Sequence, residues 1–140
     1  MLVGLGHVDL VCRDLDRSLE FYGLVFGPLG LGQEFLADGE RGEQIHYLRF
    51  PTPGWGSIGL RQALAEQEFE LYAPGLHHVA LAVETRADVD AAHAAAVAAG
   101  GEILHAPREW PQYHPAYYAT FFRDPDGFRL EVASARDARA

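Results

Sequence analysis

GLGHVDLVC at residues 4–12 and GLHHVALAV at residues 75–83 are two copies of one pattern. At an offset of 71 residues Gly, Leu, His, Val and Leu recur in register, at five of nine positions, which marks an internal repeat. Apolar residues at alternate places, Val8 and Leu10 in one copy and Val79 and Leu81 in the other, read as half-buried strands. A helical pattern follows each copy. In the first, Asp14 is suited to cap a helix over Leu15 to Phe26, with Leu15, Leu19, Tyr22 and Phe26 on one stripe. In the second, an Ala-rich helix runs from Arg86 to Ala99 and stops at Gly100-Gly101, with Val89, Ala92, Ala96 and Val97 as its inner face.

Three strand patterns follow each helix. In the first half they are Gly32 to Ala37, Glu43 to Phe50 and Gly56 to Ala63; in the second, Glu102 to Ala106, Tyr117 to Arg123 and Phe128 to Ala133. Asp124-Pro125-Asp126-Gly127 predicts a three-residue hairpin loop with a bulge between the last two. The expected fold is α+β: two tandem βαβββ modules forming a concave eight-stranded mixed sheet around a metal-binding cavity. One domain, 1–140, is expected, with module one at 1–63, a linker with room for a short edge strand at 64–74, module two at 75–134 and a tail at 135–140.

A chain of 140 residues buries enough surface to fold without staples, and Cys12, the one cysteine, has no partner for an intrachain disulfide. The start has neither a basic segment nor an apolar run of signal-peptide length, and no stretch is apolar enough to span a bilayer. A cytoplasmic location is expected. The formal net charge of −9 repels phosphate backbones and anionic lipid. The expected partner is a small-molecule substrate, with no nucleic acid and no membrane.

Strand alternation assigns the faces. Phe128, Leu130 and Val132 pack on a helix, so Arg129, Glu131 and Ala133 turn the other way. The hairpin loop sets Glu131 opposite Phe121, placing Phe121, Ala119 and Tyr117 on its face. Likewise Val8 and Leu10, or Val79 and Leu81, pack inward. His7, Asp9 and Val11, and His78, Ala80 and Ala82, face the other way. Two imidazoles at equivalent repeat positions and one carboxylate make a facial ligand set for a divalent ion. The expected metal ligands are His7, His78 and Glu131. His77 aligns with Gly6 and should point away. The alternative is a structural histidine in each strand and a solvated Glu; equal repeat position and a shared face favour the metal.

GHVDLVCRDLDRSLEFYG (6–23), HHVALAV (77–83) and FFRDPDGFRLEV (121–132) resemble the vicinal oxygen chelate superfamily of glyoxalases, extradiol dioxygenases, fosfomycin-modifying thiol transferases and bleomycin-binding proteins. The resemblance implies ligands on the first and last strand of each module, which match His7, His78 and Glu131. The fourth such position falls among Ser57, Gly59 and Arg61, none of them a metal ligand. That departs from glyoxalase I and the epimerases. Asp9, Ala119 and Phe121 stand where the fosfomycin enzymes carry hydroxyls. The resemblance also implies a homodimer, which would protect open sheet edges.

The expected cofactor is a divalent metal ion, Fe, Mn, Ni or Zn, acting as a Lewis acid. Asp9 is a candidate general base or a partner of a ligating histidine. Arg61 is a candidate receptor for a substrate carboxylate or phosphate, or the ion-pair partner of Asp9. Pro107 to Pro115 reads as a long lid loop. Tyr113, and the further catalytic candidates His114 and Tyr117, would touch substrate there or simply pack. His46 and Tyr47 lie on opposite faces of their strand, and either could enter the cavity. Three functions are expected in turn: a metal-dependent lyase, isomerase or thiol transferase on a small oxygenated metabolite; an Fe(II)-dependent extradiol-type dioxygenase; and a metal-free drug-binding protein.

Overall fold

The computed structural model describes residues 1–54 and 56–134, with all side chains but those of Gln33 and Glu34. The expected tail 135–140 lies outside the described residues. The chain divides into two compact units, Met1–Gln67 and Glu68–Ala140, and the division falls inside the expected linker. Residues 64–74 contain turns and no strand.

The first unit runs β1 (His7–Cys12), α1 (Leu15–Phe26), a single 3-10 turn (Gly27–Leu29), β2 (Gly32–Asp38), β3 (Gln44–Arg49) and β4 (Ser57–Gln62). Asp14 caps α1 as expected, its carboxylate accepting from the Arg17 amide at 3.1 Å. The buried face of α1 is Ser18, Phe21, Tyr22, Val25 and Phe26. Leu15 and Leu19, expected on the same stripe as Tyr22 and Phe26, are only half-buried. The sheet order is β1-β4-β3-β2, with β1 and β4 parallel and the other pairs antiparallel. Leu10, Cys12, Ile58, Leu60 and Leu48 share one face of the sheet as buried core.

The second unit repeats the plan: β5 (Val79–Ala82), α2 (Arg86–Ala98), β6 (Glu102–Glu109), β7 (Tyr118–Arg123) and β8 (Arg129–Ser134), in sheet order β5-β8-β7-β6. The eight expected strands thus form two four-stranded mixed sheets. Thr85 and Asp88 close a reciprocal cap at the start of α2, and Gly100, at φ 78°, takes the left-handed position that ends it. Val89, Ala92 and Ala96 are buried as expected, but Val97 is 54% exposed. One residue past Ala96 it is turned about 100° from the packed stripe, whatever its hydrophobicity. Against this helix lie Phe122, Thr120, Leu130 and Val132, all fully buried. Among the described residues no helix is long and apolar enough to cross a membrane.

Candidate functional site

The turn before β8 places the acidic residue. Asp124 Oδ1 accepts from the amides of Asp126 and Phe128, each at 2.9 Å, and the Asp124 amide donates to the Phe128 carbonyl. Gly127 closes the turn at φ 88°. This hairpin sets Phe121 opposite Glu131, as the loop length predicts, while β5 sets Ala80 beside it. Glu131 is 4% exposed. Its Oε1 accepts from the Tyr117 hydroxyl at 2.5 Å, and its Oε2 lies 3.2 Å from His78 Nε2. Burial first, and then the bond to Glu131, push the pKa of the Tyr117 hydroxyl far above the ordinary tyrosine value. Tyr117 is therefore a neutral donor.

His77 does not point away from this pair. Its Nδ1 is 2.7 Å from His78 Nδ1. The reason is local: β5 begins only at Val79, after Gly75 at φ 149°, so strict alternation does not extend back over residues 77 and 78. The rings meet nearly perpendicular, and Tyr72 meets His77 edge-on with centroids 5.2 Å apart.

An aromatic cluster surrounds Glu131 on the face away from α2. Trp110, Phe121, Ala119 and Ala133 are buried there, with Leu104 and Tyr117 half-buried against them. Trp110 donates from its indole to the Ala119 carbonyl at 3.1 Å. The expected lid over residues 107–115 is shorter than its sequence suggests. Residues 107–109 continue β6, Trp110 is anchored in the cluster, and the turns that follow return directly to Tyr117. His114 sits in that turn, exposed, with Nδ1 accepting from the Ala116 amide at 3.4 Å. His105, which sequence reasoning passed over, pairs with Phe121 across β6 and β7, so it shares the face of Glu131. Its ring lies 5.0 Å from Trp110 and 5.8 Å from Phe121. Register shifts on both sides of His105 broke the alternation that would have found it.

In the first unit the equivalent face carries a different set. Asp9 Oδ2 is bound by both the Arg61 guanidinium and the Tyr47 hydroxyl, the latter at 3.2 Å. Arg61 also donates to Glu43 at 3.0 Å. Of its two expected roles, Arg61 thus adopts ion pairing with Asp9, and that bond raises its own pKa. Glu43 is held below the usual carboxylate range, first by its own backbone amide. Burial, then Asp9, raises Tyr47. Tyr47 is the member of its strand that shares the Asp9 face, and His46, paired with Leu60, takes the other. His7 Nε2 stands 3.9 Å from Asp9 Oδ1. Of the three expected metal ligands, His78 and Glu131 are brought together in the second unit, and His7 holds the matching strand position in the first.

A model of the Glyoxalase/Bleomycin resistance protein/Dioxygenase superfamily matches residues 4–132, both repeats included. The chain belongs to this superfamily. It is 29% identical over 135 residues, 94% of this chain and 80% of the relative, to the metallothiol transferase FosB of Shouchella clausii. It is likewise 29% identical over 138 residues, 96% of this chain and 92% of the relative, to a probable lactoylglutathione lyase of Vibrio parahaemolyticus. Among solved structures, a glyoxylase/bleomycin resistance protein/dioxygenase domain from Frankia sp. EAN1pec superposes with a TM-score of 0.79 at 27% identity, covering 96% of this chain and 93% of that one. Shared superfamily membership establishes the scaffold; the reaction must be argued from the site.

Proposed function

We propose that this chain is a metal-dependent enzyme of the lyase or thiol-transferase type, acting on a small oxygenated metabolite. The observation that carries this reading is the contact of His78 with Glu131. A carboxylate that is 4% exposed, whose contacts are a neutral hydroxyl and an imidazole, suits a cation as its charge partner. Imidazole nitrogen and carboxylate oxygen are the donors preferred by Fe, Mn, Ni and Zn ions. His78 and Glu131 are two such donors side by side; among the described residues no group of three or more His, Cys, Asp or Glu side chains is placed to hold an ion. His7 enters as the third ligand on its repeat equivalence to His78. When bound, the ion supplies Lewis-acid stabilisation of an oxyanion on the substrate.

The chain's own groups have separable roles. Tyr117 holds one oxygen of Glu131, which orients the other toward His78. Asp9 is the candidate base of the first unit, and Arg61 and Tyr47 fix its carboxylate. Arg61, engaged by two carboxylates, positions Asp9 and is a poor receptor for an anionic substrate. His114, exposed in its turn, is left as a contact to substrate. The names of both curated relatives describe chemistry at a thiol, which supports a thiol co-substrate here. A cytoplasmic homodimer completes the proposal.

Elemental analysis of protein purified without added metal, followed by thiol-dependent turnover of 2-oxoaldehydes and epoxides, tests the reading. Near-stoichiometric Mn, Ni or Zn, lost in E131Q, is the expected result. Protein that takes up no divalent ion would leave the metal-free binding function instead. A second reading, Fe(II)-dependent ring cleavage, draws on His105, an imidazole on the face of Glu131 available as a base. Iron together with oxygen uptake on catechols would select it.

A further inference from the structure

Arg129 stands two residues before Glu131 on β8, on the same face of the second sheet. Its guanidinium lies over the Phe121 ring, with Cζ 4.9 Å from the centroid, and Phe121 is the residue opposite Glu131. Among the described residues Arg129 has no hydrogen bond and no ion pair, and its Nε is buried without an acceptor. Directly opposite it on β7 is a second arginine, Arg123, whose Nε is likewise buried and unbonded. The ion pair of Arg123 with the exposed Glu102 is long, at 3.9 Å. Like charges set opposite each other across a ladder repel, and a buried N–H without an acceptor costs free energy. Elsewhere in this acidic chain Arg61 and Arg86 are bound by carboxylates at close range. The two arginines beside Glu131 are left facing one another.

We propose that Arg129, backed by Arg123, receives a carboxylate of the substrate, so that the metabolite bound beside Glu131 is a small organic acid. The proposal rests on the preceding reading only in taking the ligand to be a small oxygenated metabolite; it requires no metal. The edge of a guanidinium offers two parallel N–H groups that match the two oxygens of a carboxylate. Stacking on Phe121 fixes the plane of that fork and leaves its edge unengaged. An anion seated there relieves the repulsion between the two cations. Glu131 selects among anions, because two residues along a strand is about 7 Å. At that range a doubly charged phosphate is repelled about twice as strongly as a singly charged carboxylate. The same spacing sets the size of the ligand: a short carbon chain joins an acid group at Arg129 to oxygens near Tyr117, His78 and Glu131. Arg61, the arginine that the sequence suggests for this task, is closed to it by Asp9 and Glu43.

The test follows the arginine Nε–H signals of the 15N-labelled, chelator-treated full chain by NMR. Acetate, pyruvate and benzoate are titrated at fixed pH and ionic strength, with methyl pyruvate, inorganic phosphate and glutathione as comparisons. The three carboxylates should shift the Arg129 and Arg123 signals, and methyl pyruvate should not. R129M keeps the alkyl stem on Phe121 and loses the fork; it should bind the tightest of the three at least about 10-fold more weakly. R129K should recover only part of that loss, since an ammonium is a point charge without the fork. Arg108, stacked on Trp110 and opposite Ala119, has no arginine across the ladder, and R108M should bind as the wild type does. The urea midpoint of R129M should equal or exceed that of the wild type, because one of two opposed charges is gone. No shift at Arg129 with any of the three acids, equal binding of methyl pyruvate, unchanged affinity in R129M, or equal weakening by R129M and R108M overturns the proposal. Phosphate bound more tightly than the carboxylates overturns it in favour of a phosphate ester. A loss in R129M confined to glutathione overturns it by moving the acid group to a thiol co-substrate. These titrations run without metal, so protein that takes up no divalent ion overturns the metal reading and leaves this one standing.

Discussion

Gly59 stands in the first sheet where Glu131 stands in the second. Gly59 pairs with Asp9 on β1 and Tyr47 on β3, while Glu131 pairs with Ala80 on β5 and Phe121 on β7. Asp9 and Ala80 are repeat equivalents at the offset of 71. The first module therefore has no carboxylate at this place on its last strand, and the Asp9 carboxylate lies over Gly59 instead. A Cβ at Gly59 would fall on Asp9 Oδ1 and come within 2.7 Å of Tyr47 Cε1. G59A should thus displace Asp9 from Arg61 and cost about 1–3 kcal/mol, as overpacking does. Urea denaturation checks it; an unchanged midpoint would mean that the Asp9 side chain moves aside freely.

Tyr117 gives the molecule a dependence on alkaline pH. Its pKa is shifted upward from an ordinary value near 10, so the unfolded chain loses this proton first. The stabilisation is present in full below about pH 10 and is lost as pH climbs through the folded-state value. Tyr47 and Tyr118, also raised, act in the same direction. Stability of the wild type should fall above pH 10, and the slope should be shallower in Y117F. At neutral pH, Y117F leaves a buried oxygen of Glu131 without its donor, at a cost of about 1–3 kcal/mol.

Asp124 carries the turn that aims Glu131. D124A removes an acceptor from two backbone amides at once and should lower stability by about 2 kcal/mol. D124N keeps Oδ1 and should recover part of that loss. If metal affinity falls in D124A but not in D124N, the turn positions the ligand; equal affinity in both would confine Asp124 to stability.

His105 separates the two catalytic readings. Its ring packs edge-on against Trp110 and Phe121, a place phenylalanine can fill, so H105F should stay within about 0.5 kcal/mol of wild type. Loss of catechol cleavage with thiol-dependent turnover intact would assign His105 as the base of a dioxygenase. No change in either rate removes it from the chemistry.

Arg61 and Asp9 should behave as a coupled pair. A double-mutant cycle over R61M and D9N should return an interaction of about 1 kcal/mol, within the range for contacting residues. Additive effects would mean that the guanidinium bonded to Asp9 contributes nothing beyond its packing.

Much of this was legible along the chain, because it depends on short-range rules. The twice-written strand, the α1 boundaries set by the Asp14 cap, and the pairing of Phe121 with Glu131 follow from repeat spacing, capping and loop length. None of these requires a distant residue. Tertiary structure alone decided the rest. Val97 is apolar yet exposed because packing selects one stripe of a helix. His105 joins the site because β6 shifts register on either side of it. Arg61 chose Asp9 and Glu43 over a free role because residues 52 and 18 positions away in sequence lie within bonding distance. His77 meets His78 because the chain before β5 is not yet a strand. Periodicity tells which face a residue occupies only while the strand is regular; where it bulges or has not begun, neighbours across the fold determine where the side chain goes.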